Sequence, residues 1–249
     1  MSATTPLAVQ LYGLDEAMTT DRRGTLRRLA AMGYPGVEPY DVLSDPHGLR
    51  ADLDEFGLRA CSAHAWVTGD QRDEILHALA VVGTDTAILP YVPPERFADR
   101  ESVAAVAAEI NAAARAAADH GVRIGYHNHD FELSTSIQGR PALEVLADLL
   151  DPGVLLEVDT YWAAFGGQDV PDLLRRLGER VRYLHVKDGP LTGREDDHVA
   201  VGTGRMPVSE ILAAAPAAQW HVVELDRCAT DMFEAMAQSL AHLTSEGVR

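Results

Sequence analysis

Only two cysteines, Cys61 and Cys228, occur in 249 residues. Neither stands in a CxxC or CxxH spacing, so a disulfide framework and a cysteine zinc site are both excluded, and two buried thiols are expected. Positive charge is scarce as well: 21 Lys and Arg against 38 Asp and Glu give a formal net charge of −17. Nucleic-acid affinity needs basic side chains that displace counterions from phosphates, so this balance argues against DNA or RNA as partner or substrate. No apolar run approaches the roughly 20 residues of a membrane span. The opening MSATTPLAVQLYG has no basic region followed by a long apolar stretch, so no secretory leader is expected and the cytoplasm is the expected compartment. Two nucleotide signatures are also missing: YGLDEAM stands where a dinucleotide fold would carry GxGxxG after its first strand, and GxxxxGK[ST] occurs nowhere. No linker, repeat or low-complexity tract divides the chain, so a single domain over 1–249 is expected.

What is present is a regular alternation. Short apolar runs at 7–12, 35–39, 58–65, 85–91, 122–127, 153–159, 181–186 and 220–225 read as strands. Between them, 21–32, 46–56, 70–81, 100–120, 140–150, 170–178, 207–215 and 231–246 have helical composition. The alanine-rich helix after Glu101 ends at Gly121, and MGYPGVE, FGLRAC and HGVRIGY run from helix to strand through a glycine, as βαβ units do. Eight such units in a chain of this length predict an α/β fold, a closed (β/α)8 TIM barrel. VGTGRM at 201–206 has two glycines but no preceding strand and reads as a loop.

Active sites of such barrels lie at the C-terminal strand ends, and alternate strand residues point inward. In that phase the last four strands present His127, Asp159, His185 and Glu224 as one ring, with His129, Tyr161, Lys187 and Asp226 two residues further on. Two imidazoles and two carboxylates suit Mn2+, Zn2+, Co2+ or Fe2+ better than Ca2+, with Mn2+ the first expectation and Mg2+ also admitted. A cation chelated by a ketone oxygen and its neighbouring hydroxyl would stabilise an enediolate, so the site fits proton abstraction next to a carbonyl. His129 or Glu224 could be the base, and Lys187 could stabilise the enolate or protonate a leaving hydroxyl, unless it is salt-bridged to Asp188 or Asp226. Glu38, Tyr40, His64 and Trp66, after the second and third strands, are candidates for sugar hydroxyls and ring faces. Trp162 could close the pocket and Asp226 could bind substrate. Gly189 to Gly204, including His198, reads as a mobile lid, with Arg194 and Arg205 as candidate phosphate contacts that are better explained as solvated loop charges.

These segments, from MGYPGVE through GVRIGYHNHDFE, EVDTYW, LHVKD and VGTGRMPVSEIL to VVELD, resemble the sugar phosphate isomerase/epimerase superfamily of xylose-isomerase-like barrels. The resemblance implies one divalent metal held on the fifth to eighth strands, which carries over to His127, Asp159, His185 and Glu224. Many sugar epimerases of this group have Glu at the position of His127 and use a pair of glutamates on opposite substrate faces. With only Glu224 left of that pair, the YHNH pattern is closer to inosose dehydratase-like members, where a histidine can be the base. Glu132 is an alternative to His127 as ligand. The expected function is a metal-dependent isomerase or epimerase of a sugar or keto-polyol. A lyase, by dehydration or keto-glycoside β-elimination at the same site, is the alternative. Related barrels often form dimers or tetramers, so a homo-oligomer or a hetero-oligomeric enzyme partner is implied.

Overall fold

A computed structural model describes residues 5–247. Every run read as a strand is found as one: β1 (Leu7–Gln10), β2 (Gly36–Glu38), β3 (Arg59–Ala60), β4 (Ala63–His64), β5 (Thr86–Leu89), β6 (Arg123–His127), β9 (Leu155–Asp159), β10 (Val181–Val186) and β11 (Trp220–Val223). They form one parallel sheet in the order β3-β2-β1-β11-β10-β9-β6-β5-β4. β3 and β4 are consecutive pieces of the single run expected at 58–65, and they stand at the two ends of the sheet. The amide of Cys61 donates to Val37 and that of Ala65 to Ile88, so the chain hands over from β2 to β5 and the ribbon returns on itself. The result is a nearly closed barrel of eight staves.

The helices follow the expected places closely: α1 (Asp15–Met32), α2 (Pro46–Phe56), α3 (Arg72–Val82), α4 (Arg100–Ala118), α6 (Ala142–Leu149), α8 (Val170–Leu177), α9 (Val208–Ala214) and α10 (Met232–Ser245). α1 begins six residues before the expected start at 21, but Asp21 leaves helical geometry and its carboxylate accepts the Gly24 amide at 2.8 Å. The sequence signal there is an internal cap. Two short helices, α5 (Phe131–Ser134) and α7 (Thr160–Phe165), and a hairpin of β7 (Ser136–Ile137) with β8 (Arg140–Pro141), were not anticipated. Gly57 closes α2 in the left-handed region (φ 70°), where its amide reaches Asp54, and the chain can then turn directly into β3.

Inside the barrel the lowest residues are apolar: Ala8, Cys61 and Val222 on one side, Ile88, Leu155 and Tyr183 on the other. Above them the inward positions become polar, with Gln10, Glu38, His127, Glu157 and His185 all buried. Cys61 is buried as expected, whereas Cys228 is only half-buried, because it follows β11 in an exposed turn. A cavity of about 850 Å3 lies at the far end, lined by Arg59, Asp85, Arg123, Tyr183 and Trp220 among others, and none of His64, His127, Glu157, Asp159, His185 or Glu224 lines it. No helix among the described residues is long and apolar enough to cross a membrane.

His221 alternates with Val222 and so faces the helix layer. It is buried, and neither ring nitrogen meets a hydrogen-bond partner among the described residues. Burial pushes its pKa down to about 4. A histidine depressed in the fold stabilises above its unfolded pKa of about 6.5, and that contribution is lost as pH falls towards the folded value. At pH 5 the loss is about 2 kcal/mol. His221→Leu should therefore show a shallower fall in urea-unfolding stability from pH 7.5 to 5 than the wild type. Equal falls in both proteins would remove His221 as the cause.

Candidate active site

Strand ends and one helix cap fix the geometry of the barrel mouth. Asn128, next after β6, accepts the Asp159 amide at 3.0 Å and donates back to the Asp159 carbonyl at 3.4 Å, which ties the end of β6 to the end of β9. Asp159 is also the N-cap of α7: its Oδ1 accepts the Trp162 amide at 2.8 Å. Its Oδ2 is buried with no hydrogen-bond partner, although the Lys187 ammonium lies 2.9 Å away.

One ligand-type atom each from His127, Asp159, His185 and Glu224 lies within 4.8 Å of all the others, and all four residues are buried. His185 Nδ1 is 2.8 Å from Glu224 Oε2, and His127 Nε2 is 3.9 Å from Asp159 Oδ2. The convergence of two carboxylates with two imidazole nitrogens fits a borderline divalent cation. Lys187 Nζ stands beside this set, 2.9 Å from Asp159, 2.7 Å from Glu224 and 2.7 Å from Asp226. Burial works against its charge, but Asp159, Asp226 and Glu224 outweigh that and hold its pKa well above the usual value. Of the two salt-bridge partners considered for Lys187, Asp226 is therefore the one it meets.

A cavity of about 470 Å3 opens above this set, lined by His64, Trp66, Tyr91, His127, His129, Trp162, Lys187, Glu224 and Asp226 among others. His129 lies flat against Phe131, at 5.7 Å between ring centroids, and edge-on to Tyr91. Its Nδ1 is buried without a partner, and burial together with the nearby Lys187 charge pushes its pKa down to about 4. It is a neutral imidazole whose ring lines the cavity. Trp162 lines the cavity and its indole donates to Asp226 at 3.2 Å, while Trp66 is 55% exposed at the rim.

Several expected positions are corrected. Glu38 does not reach the cavity: it is fully buried beneath the cation set, where its carboxylate meets Gln10 at 2.8 Å, His185 at 2.7 Å and the Ser62 hydroxyl. Tyr161 does not continue the inward phase, because Asp159 ends the strand and α7 begins; its hydroxyl turns to the Leu191 amide. Glu132 is not in the cation set. It accepts from Tyr126 at 2.6 Å and from the His129 amide at 2.9 Å, and burial pushes its pKa up to about 7. Tyr40 lines the cavity while donating to Asp15. Arg194 lines it too, paired with Asp130, whereas Arg205 is exposed outside it.

The stretch from Gly189 to Gly204, expected to be a mobile lid, is tied down at several points, most densely at Asp188. Fully buried Asp188 accepts the amides of Gly189, Gly202, Gly204 and Met206 at 2.8 to 3.0 Å. Gly204 is required for this, because a Cβ there would come within 2.1 Å of the Asp188 carboxylate. His198 from the same stretch accepts the Asp226 amide at 3.1 Å and packs on Tyr161, so it supports Asp226 from behind.

Sequence reasoning missed Glu157. Its Oε2 lies 2.8 Å from His64, 3.1 Å from His127 and 3.1 Å from His185. The signal was present, since Glu157 shares the inward phase with Asp159, and the register pairs it laterally with His127.

Residues 26–246 match the family of the xylose isomerase-like TIM barrel. An inosose dehydratase of Geobacillus kaustophilus (strain HTA426) is 28% identical over 203 residues, covering 71% of this chain and 64% of that protein. The chain thus spans less than two thirds of the length of that curated relative. Among solved structures, a sugar phosphate isomerase/epimerase from Parabacteroides distasonis ATCC 8503 superposes with a TM-score of 0.81 at 23% identity, covering 98% of this chain and 94% of that one. The IOLI protein, whose crystal structure holds a zinc atom, superposes with a TM-score of 0.69 at 14% identity, over 97% of each chain. At these identities the structural likenesses bear on the fold alone.

Proposed function

The chain belongs to the xylose isomerase-like TIM barrel family, and from that premise we propose that it is a divalent-metal-dependent carbon–oxygen lyase. It removes a proton next to the carbonyl of a keto-polyol and expels a β-hydroxyl as water. The observation that carries this reading is the juxtaposition of the His127, Asp159, His185 and Glu224 set with the His129 imidazole at one cavity. A cation held by those four residues, Mn2+ being the first choice, would supply Lewis-acid polarisation of the substrate carbonyl.

The other steps belong to the protein. Neutral His129 accepts the proton as the C–H bond breaks; its electron pair forms a C=C bond to the carbonyl carbon while the carbonyl π pair moves onto oxygen. The C=O bond then re-forms, the C=C pair shifts to join the α and β carbons, the β C–O bond breaks, and the hydroxyl leaves as water with the proton that His129 returns. Lys187, kept charged by its carboxylates, lies beside the atoms where negative charge develops. Trp66, Tyr91 and Trp162 offer apolar faces to the C–H faces of a polyol ring and keep water from the reacting carbons.

Two features put dehydration ahead of isomerisation, reversing the order expected from sequence. β6, the fifth stave of the barrel, ends in His127 where a second glutamate would serve a two-sided proton exchange, and inosose dehydratases are among the curated relatives that match. Isomerisation or epimerisation is the second reading, favoured by Glu224, which faces the same cavity as His129 from a different strand end. Incubation of the Mn2+-loaded protein with an inosose, followed by mass spectrometry, should show loss of one water. An isomer of unchanged mass would overturn the lyase reading, and no turnover of any keto-polyol would overturn both.

A further inference from the structure

His127 and His185 are each shared between two groups of ligand-type atoms. One is the mouth set already described; the other, directly beneath it, is His64, His127, Glu157 and His185, whose atoms also lie within 4.8 Å of one another. The two imidazoles are mounted in opposite senses. His127 turns Nε2 up towards Asp159 and Nδ1 down to Glu157, 3.1 Å away. His185 turns Nδ1 up to Glu224 and Nε2 down to Glu38 at 2.7 Å and Glu157 at 3.1 Å.

A neutral imidazole that gives one lone pair to a cation carries its proton on the other nitrogen, and a buried N–H needs an acceptor. Cations in both groups at once would require each ring to lose both protons. One group therefore takes the cation and the other takes the two N–H groups. Both groups reach the cavity, the deep one through His64 and His127 and the mouth one through His127 and Glu224, but only the mouth group combines two separate strand-end carboxylates, Asp159 and Glu224, with the two rings. The deep group already has its rings matched to carboxylates: Glu157 Oε2 serves His64, His127 and His185, and Glu38 is fixed by Gln10 and Ser62.

We propose that Glu157 and Glu38 are positioning residues for the cation, locking His127 as its Nδ1–H tautomer and His185 as its Nε2–H tautomer so that opposite nitrogens of the two rings face the mouth. This inference rests on the metal dependence proposed above. The carboxylates also make both rings better donors, because a negatively charged acceptor on the N–H raises the basicity of the far nitrogen. The feature that a deep cation would use instead is Glu157 Oε1, which is likewise buried without a partner.

The test uses the full chain and Zn2+ as probe, with affinity read by chelator competition and tautomers by 15N NMR of the histidine rings. In Glu157→Gln the amide oxygen can still accept at the Oε2 position but carries no negative charge, so it holds the ring N–H groups less strongly and no longer raises the basicity of the far nitrogens, and Zn2+ should still bind one per chain with affinity lowered about 10- to 100-fold. Glu38→Gln should do the same through His185. In the zinc-loaded wild type, His127 should be metallated at Nε2 and His185 at Nδ1. Affinities unchanged in both variants would overturn the proposal. So would Zn2+ binding that survives Asp159→Asn but vanishes in Glu157→Gln, since the cation would then be deep. Should the glutamate variants fail to fold, the wild-type spectrum decides, and metallation of His127 at Nδ1 overturns the proposal. A wild type that takes up no Zn2+ removes this inference and the lyase reading together, while zinc binding with the opposite tautomers removes this inference alone.

Discussion

Asp159→Asn should abolish cation binding and turnover while leaving the fold in place. The side chain has two separable duties, one on each oxygen. Oδ1 caps α7 through the Trp162 amide, and asparagine caps a helix about as well as aspartate, so the helix keeps its first turn. Oδ2 is the buried atom that faces the mouth set and the Lys187 ammonium, and an amide there removes the negative charge the cation needs. Metal content should fall from about one per chain to background, and kcat/KM by at least about 10^3-fold, equivalent to roughly 4 kcal/mol of transition-state stabilisation. Circular dichroism should be unchanged. Glu224→Gln should behave alike, since Glu224 meets both His185 and Lys187. Retention of metal and rate in the two variants would refute the site.

His129→Asn should give the complementary result, with the cation retained and turnover lost. His129 is outside the cation set, and its ring is held by stacking on Phe131 and Tyr91 rather than by hydrogen bonds. Its backbone is fixed independently, through the amide bound by Glu132, so truncating the ring should not disturb the strand end. Loss of a general base lowers kcat by about 10^2- to 10^4-fold. KM should change little, because the cation and aromatic walls remain. A fall of less than about threefold in kcat would assign the base elsewhere, with Glu224 next, and normal metal content in the same sample keeps the two experiments distinct.

The barrel was legible because its signals are local. Apolar runs, helical composition and glycines such as Gly57 each need only a few residues of context, and strand alternation put His127, Asp159, His185 and Glu224 on one inner face. What escaped depends on how staves are staggered. Aligning strand ends makes His127 the equal of Asp159, yet in the sheet His127 lies level with Glu157, and His185 with Asp159. That shear creates the deep layer, and it explains why Glu38 was assigned to substrate and Glu157 to nothing. α7 escaped for another reason: six residues are too few for a helical period, and its only signal is the capping aspartate. The run at 58–65 looked like one strand because pairing partners change within it without any change in composition.

The convergence of four amides on Asp188 holds the two ends of the Gly189–Met206 loop together. Between the first and second of those amides lie Arg194 and Glu195, both of which border the cavity. Exchanging these two leaves the four amide contacts untouched, and the anchor can be inherited without fixing what the loop presents. The mouth thus resembles a socket with an exchangeable collar: new substrate preferences can be tried on the collar while the barrel and its buried charges stay as they are.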